Sequence, residues 1–287
     1  MVRSVIHDAS VLRLVQIALA EDIGSGDITS EAIIEPTWRA RATLVAKSSG
    51  IVCGLPIAAL VFRAVDADTA WEQLVEEGQS IEPQTPIAHV YGTARSLLAA
   101  ERTALNFLQR MSGVATLTRR YVEAIAGTSA RILDTRKTIP AWRLLDKYAC
   151  IIGGAENHRM GLYDMVLVKD NHIAAAGSIE AALAAVAPLR YSGQYLIEVE
   201  VQSLDQLERA LAAGGFDRIM LDNFSIEQLR IAVKRIAGRY QVEASGGVTL
   251  DTVRAIAETG VNFISVGALT HSAPALDISM DIAIART

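Results

Sequence analysis

The chain has 287 residues, long enough to bury a large core as one big domain or two modest ones. Hydrophobic residues make up 51% but aromatics only 5%, so the core is mostly Ala, Val, Ile and Leu, a composition that suits buried parallel strands covered by helices. A net charge of −5 argues against a general nucleic-acid or anionic-membrane binder, and no stretch is apolar enough to span a bilayer.

The opening residues, Met1 to Ser10, lack a continuous apolar core, so no targeting segment is expected and the cytoplasm is the expected compartment. Next comes ARATLVAKSSGIVCG (40–54), with strand character around a Ser-Ser-Gly turn, and then LPIAALVFRAV (55–65), which reads as a helix. The Pro- and Gly-punctuated run EEGQSIEPQTPIAHVYGTA (76–94) has the short alternation of antiparallel strands. A long helix is expected from about Ala94 to Met111. Residues 1–113 therefore read as an α+β module, and the final segment, 274–287, is a candidate to return to it. Cys53 and Cys150 stand alone, without a CxxC spacing or a neighbouring His cluster. That excludes a zinc site and predicts two buried, reduced thiols.

Beyond about residue 114 short apolar strands alternate with helical stretches. The strands read ILDTRKT (132–138), DMVLVKDNH (164–172), YLIEVEVQ (195–202), RIMLDNF (218–224), QVEASGG (241–247) and FISVGAL (263–269). The last four begin at 195, 218, 241 and 263, a spacing that fits strand, turn, three-turn helix and return loop. The intervening helices open on Ser203, Ser225 or Thr249, good N-caps, and close at glycine. Regular βα alternation with even spacing predicts an α/β fold with an incomplete barrel over 114–273, because six clear strands fall short of eight.

In such a barrel the working residues sit where strands meet the following loops. Those positions here carry Thr135, Arg136 and Lys137, then His158 and Arg159, then Lys169, then Glu198 and Glu200, then Asp222. Singly, each has an ordinary explanation as a solvated loop charge or a paired strand residue. Five cationic or potentially cationic groups at one barrel end in an acidic chain point instead to a multiply anionic ligand. The last two strands end in Ser245-Gly246-Gly247 and Val266-Gly267-Ala268, loops where backbone N–H groups can approach a phosphate closely. Glu200 and Asp222 supply carboxylates that could hold Mg²⁺, accept ribose hydroxyls or stabilise a cationic transition state. The combination suggests phosphoribosyl chemistry and leaves the acceptor open.

The runs ERTALNFLQRMSGVAT (101–116), LDTRKTIP (133–140), GGAENHRMGLYDMVLVKDNH (153–172), IEVEV (197–201), IMLDN (219–223), EASGG (243–247) and ISVGALTHS (264–272) resemble quinolinate phosphoribosyltransferases, and EDIGSGDIT (21–29) is similar to that family's opening. The likeness runs through nearly the whole chain, in order. It implies an α+β N-terminal domain followed by an incomplete, seven-stranded α/β barrel. It also implies phosphoribosyl transfer to quinolinate with decarboxylation, in NAD biosynthesis. On this resemblance Arg136, Arg159 and Lys169 grip the quinolinate carboxylates, with Thr135 and His158 beside them. Arg102 reaches the pyridine site of the other subunit, which implies a homodimer. Lys137 faces the pyrophosphate and is catalytic with Glu200 and Asp222, which address the ribose and Mg²⁺. Ser245, Gly246, Gly247, Val266, Gly267 and Ala268 hold the 5-phosphate. Glu198 and Glu200 share a strand face by period two, and motif register selects Glu200. His172 and His271 receive no role.

Rival readings are a paralogue of the same fold associated with molybdenum-transport operons, a nicotinate phosphoribosyltransferase, and a non-catalytic phosphate-ester-binding barrel. The Thr-Arg-Lys and His-Arg pairs weigh against the first two, and the retained carboxylates and lysines against the third.

Overall fold

The computed structural model describes Val5 and residues 7–191 and 193–285. Residues 1–4 and 6, on which the reading of the N-terminus partly rests, lie outside the described residues. The chain divides into two compact units: Met1–Arg119 with Thr138–Gly154 and Ser272–Thr287, and Arg120–Lys137 with Ala155–His271.

The first unit is built on an antiparallel sheet. Strand β1 (Arg39–Ala46) lies between β5 (Pro86–Thr93) and the C-terminal strand Ile278–Ala285, with β3 (Ala70–Gln73) on the far side of β5. Ala40, Ala42, Leu44 and Ala46 alternate along β1 and are buried, while Arg39 and Arg41 are exposed, the two-residue period of a half-buried strand. The C-terminal strand pairs with β1 from Arg39↔Ala285 to Ala46↔Ile278. Short β2 (Gly50–Ile51) and β4 (Ser80–Ile81) form a separate ladder. Helix Leu55–Val65 follows Gly54, which is left-handed (φ +101°) and has no side chain to cap it. The Glu77 carboxylate accepts the N–H groups of Gly54 (2.7 Å) and Leu55 (3.0 Å) instead.

The long helix runs from Ala94 to Ala124, well past Met111. Ser112 and Gly113 are both accommodated within the helix. The Ser112 hydroxyl donates to Cys53 O (3.1 Å) and accepts the Cys53 N–H (2.9 Å). A Cβ on Gly113 would overlap the Pro274 carbonyl oxygen, so close backbone approach, not flexibility, calls for glycine there.

Within 114–273, the segment Thr138–Gly154 packs with the first unit. Within it Trp142 stacks on Phe107 at 4.8 Å, Asp146 pairs with Arg110 at 2.9 Å, and Tyr148 donates to Glu77 at 3.0 Å. Cys53 and Cys150 are both buried thiols, not joined in a disulfide.

The second unit holds a parallel sheet in the order β6 (Arg131–Leu133), β11 (Phe263–Ser265), β10 (Gln241–Ser245), β9 (Arg218–Asp222), β8 (Ile197–Val201), β7 (Val166–Val168). A single parallel bridge, Leu133↔Glu156, adds a seventh strand position beside β6. Glu156 donates its N–H to Ile132 O (2.9 Å) and accepts that of Asp134 (3.1 Å). The ring of strands is thus continuous except between Glu156 and β7, which is the incomplete barrel. Every residue of β8 is buried, as a strand covered on both faces must be. Ser203, Ser225 and Thr249 are the N-caps of the following helices. Only the first of these closes directly on glycine, Gly214; the others end at Ala237 and Glu258, with Gly238 and Gly260 one and two residues later.

Candidate active site

The C-terminal strand ends of the second unit surround a cavity of about 590 Å³. Each strand delivers its polar residue because the side chain just at or beyond the last ladder residue is released from the sheet while its backbone is still held. Thr135, Arg136 and Lys137 follow β6, His158 and Arg159 follow the Glu156 bridge, and Lys169 follows β7. Glu200 lies on β8, and Asp222 and Ser245 end β9 and β10. Gly246, Gly247, Gly267 and Ala268 complete the wall.

Two residues stand elsewhere. Val266 does not line the cavity: its side chain is buried and its N–H is committed to Leu133 O at 3.0 Å. It therefore has no backbone donor to offer a phosphate, and it serves the core. Arg102 belongs to the first unit, where it is exposed on the helix Ala94–Ala124.

The cations are not all alike. Lys169 Nζ pairs with Glu200 Oε2 at 3.1 Å. Arg136 and Lys137 form no ion pair among the described residues, and Arg136 Nε is buried without a hydrogen-bond partner. Arg159 is 9% exposed and donates through Nη1 to Met165 O (3.1 Å). Desolvation, reinforced by the neighbouring Arg136 charge, lowers the Arg159 pKa. Two guanidiniums in mutual repulsion, one with an orphaned donor, make a receptor for an anion with more than one acceptor.

Gly246 (φ +94°) and Gly247 (φ +60°) both adopt left-handed backbone. A Cβ on Gly246 would overlap Asn223 Oδ1 and lie 2.9 Å from the Asn223 nitrogen, whereas one on Gly247 would meet open space. A Cβ on Gly267 would lie 2.9 Å from Lys137 Cδ and 3.2 Å from His271 Nε2.

Beneath this layer lies a polar network that the sequence reading did not assemble. His158 Nε2 is 3.0 Å from Glu198 Oε2 and 3.6 Å from Glu243 Oε2, and Arg218 Nη1 reaches Glu243 Oε2 at 3.3 Å. Arg218 also sits over the Phe263 ring at 4.0 Å. Burial raises both glutamates, Glu243 to about 8 with Glu198 adding to the effect, because two desolvated carboxylates side by side cannot both ionise. The ligand atoms of His158, Glu198 and Glu243 lie within 4.8 Å of one another, a spacing compatible with a metal ion. The ring's other nitrogen argues against one. His158 Nδ1 accepts the Arg159 N–H at 2.8 Å, so the proton of the neutral imidazole is on Nε2 and is donated to Glu198. The ring is held at both nitrogens, and the His158 backbone N–H donates to Asp134 Oδ1 at 2.8 Å. Glu198 thus lies a layer below the cavity that Glu200 lines.

Asn223, Glu243, Ser265 and His271 also line the cavity and were absent from the sequence-predicted set. Each sits in or beside a run quoted above: IMLDN, EASGG and ISVGALTHS.

Residues 27–112 match the N-terminal domain of quinolinate phosphoribosyl transferase and residues 114–281 the C-terminal domain. The decarboxylating quinolinate phosphoribosyltransferase 1b of Nicotiana tabacum is 43% identical over 292 residues, covering 94% of this chain and 81% of the relative. The nicotinate-nucleotide pyrophosphorylase structure from Francisella tularensis superposes with a TM-score of 0.91 at 41% identity, covering 97% and 99% of the two chains. The NadC structure from Streptococcus pyogenes gives 0.90 at 40% identity, covering 95% and 96%. With both domain matches in order and a relative 43% identical over 94% of this chain, the chain belongs to the quinolinate phosphoribosyltransferase family.

Proposed function

We infer that this chain transfers the phosphoribosyl group of phosphoribosyl pyrophosphate to quinolinate with loss of carbon dioxide, yielding nicotinate mononucleotide and pyrophosphate for NAD biosynthesis. One observation carries the reading: charge is sorted around the barrel rim. Cations come from three successive positions around the rim (Arg136 and Lys137, then Arg159, then Lys169), carboxylates from the next two (Glu200, Asp222), and glycine loops from the last two. The circle closes where Lys137 meets Gly267. A dicarboxylate, a ribose and a phosphate, joined in that order, match this sequence of groups.

Arg136, Arg159 and Lys169 bind the two carboxylates of quinolinate, with Thr135 and His158 beside them, and orient the ring nitrogen toward the ribose. A monocarboxylate would leave one desolvated cation unpaired, which supplies the discrimination. Ser245, Gly246, Gly247, Gly267 and Ala268 hold the 5-phosphate. Pyrophosphate leaves C1 with the C–O electron pair, Lys137 taking up its developing charge, while Glu200 and Asp222 stabilise the oxocarbenium character at C1. The pyridine nitrogen closes the new C–N bond. The quaternised ring then accepts the electron pair released when the 2-carboxylate departs, and C2 takes a proton from water.

Mg²⁺ is proposed as the counter-ion of phosphoribosyl pyrophosphate, neutralising its diphosphate, with Glu200 and Asp222 the residues that would hold it. The donor set suits a hard cation: two carboxylates on adjacent strands face the same cavity, and Asp222 has no ion-pair partner among the described residues. We further propose a homodimer in which Arg102, exposed on its helix, completes the pyridine site of the partner subunit. Mixing an Arg102→Ala chain with a Lys137→Ala chain tests this, since shared sites restore part of the activity that each variant lacks alone. A cytoplasmic location is the remaining proposal, supported by two reduced, buried thiols.

The reaction itself is tested by incubating the chain with quinolinate, phosphoribosyl pyrophosphate and Mg²⁺ and following nicotinate mononucleotide. Nicotinate accepted equally well as a substrate, without carbon dioxide release, would replace this reading with a nicotinate phosphoribosyltransferase.

A further inference from the structure

Strand β9 ends on a residue pair that does more than deliver Asp222. Asn223 has φ +58°, one of four non-glycine residues with positive φ among those described. Asparagine tolerates this region better than most residues, and here the conformation has three consequences. The side chain turns back so that Asn223 Nδ2 donates to Asp222 Oδ2 at 2.8 Å. The Asn223 N–H donates to Ser245 O at 2.8 Å. The carboxamide also lies so close over Gly246 that a Cβ there would overlap its oxygen. One residue therefore grips the carboxylate at the end of β9 and the glycine loop at the end of β10.

We propose that Asn223 is a positioning residue that fixes the Asp222 carboxylate relative to the Ser245–Gly247 loop, and so sets the distance between the charge facing C1 and the backbone facing the 5-phosphate. This rests on the reading of the site as a phosphoribosyltransferase centre. A carboxylate with one oxygen held by an amide keeps a single rotamer. Without the amide it is free to turn toward the cations of the cavity, of which Lys169 already engages Glu200. Glycine at 246 is required both by its left-handed φ and by the closeness of the Asn223 amide and backbone nitrogen. Orientation of this kind acts on the transition state and on phosphoribosyl pyrophosphate and leaves the quinolinate-binding arginines, which come from other strands, untouched.

The test uses Asn223→Gly, which keeps the left-handed backbone and removes only the amide. Relative to the wild-type chain, kcat/KM for phosphoribosyl pyrophosphate falls about ten- to a hundred-fold, the range for losing a hydrogen bond to a charged group. The quinolinate dissociation constant, measured by titration without turnover, stays within about two-fold. In an Asp222→Asn background the same change costs little more, because the residue acts through Asp222. A loss shared equally by quinolinate binding, a full additional loss in the Asp222→Asn background, or unchanged kcat/KM would each overturn the proposal. Wild-type turnover of quinolinate is scored separately, so failure of the underlying reaction is not confused with failure of Asn223.

Discussion

Replacing Glu243 by glutamine exposes a cost hidden in the barrel interior. Glu243 is wholly buried against Glu198, and its neighbours are His158, Arg218 and Ser265. Its pKa is raised from 4.5 to about 8, by burial first and by Glu198 second. The folded chain thus keeps a proton that the unfolded chain releases above about pH 4.5. Stability from this group is complete below that pH and is lost as pH climbs toward 8. An uncoupled proton would account for about 1.4 kcal/mol per pH unit, or about 4 kcal/mol between pH 5 and 8. Glu198 shares the titration of this buried pair, so about half of that, ~2 kcal/mol, is the figure to test. Glutamine has a similar shape and no charge to desolvate. The difference in melting temperature between Glu243→Gln and the wild type should therefore move in the variant's favour by about 4–8 °C from pH 5 to pH 8. Thermal melts at half-unit intervals provide the assay. Parallel pH profiles for the two proteins would show instead that Glu243 is ionised throughout.

Other expectations follow from the same geometry. Arg136→Ala or Arg159→Ala should weaken quinolinate binding by about a hundred-fold, the scale of a charge-assisted bidentate contact, while phosphoribosyl pyrophosphate binding changes less than about three-fold; calorimetric titration of each substrate checks this, and equal losses would count against the assignment. Gly246→Ala should raise KM for phosphoribosyl pyrophosphate more than Gly247→Ala does, since both positions carry positive φ but only the first collides with a neighbour. Steady-state kinetics of the two variants side by side decide the matter. Gly113→Ala should lower the melting temperature by at least about 4 °C without altering KM in the surviving folded enzyme, because its Cβ would overlap the Pro274 carbonyl.

Much of the architecture is legible because the barrel repeats. Strands β8 to β11 are short apolar runs at an even spacing, and Ser203, Ser225 and Thr249 mark their helices as N-caps. Local pattern fails where a distant contact decides. The long helix continues through Ser112-Gly113 because Cys53 and Pro274 satisfy and crowd that turn, and Thr138–Gly154 leaves the barrel because Trp142 and Asp146 find partners in the first unit. The cavity shows the same division. Residues at strand ends are identifiable from position, since the barrel places them there whatever their role. Val266 was grouped with Gly267 by adjacency, yet its N–H is consumed by Leu133 on the neighbouring strand. Asn223 carried a usable signal, an asparagine directly after a strand-ending aspartate, although its backbone conformation and its grip on the loop of another strand are tertiary facts. The Glu198–His158–Glu243 network could not be read from sequence, because its members come from three separate strand positions and meet only in the interior.

Whether this cavity joins quinolinate to phosphoribosyl pyrophosphate is decided by one assay. The purified chain is given Mg²⁺, phosphoribosyl pyrophosphate and quinolinate labelled at the 2-carboxylate, and labelled carbon dioxide and nicotinate mononucleotide are measured together. One equivalent of each should appear, at the same rate and only when both substrates are present. Phosphoribosyl pyrophosphate that binds while neither product forms would contradict this expectation, leaving the glycine loops as a phosphate site and removing quinolinate as the acceptor.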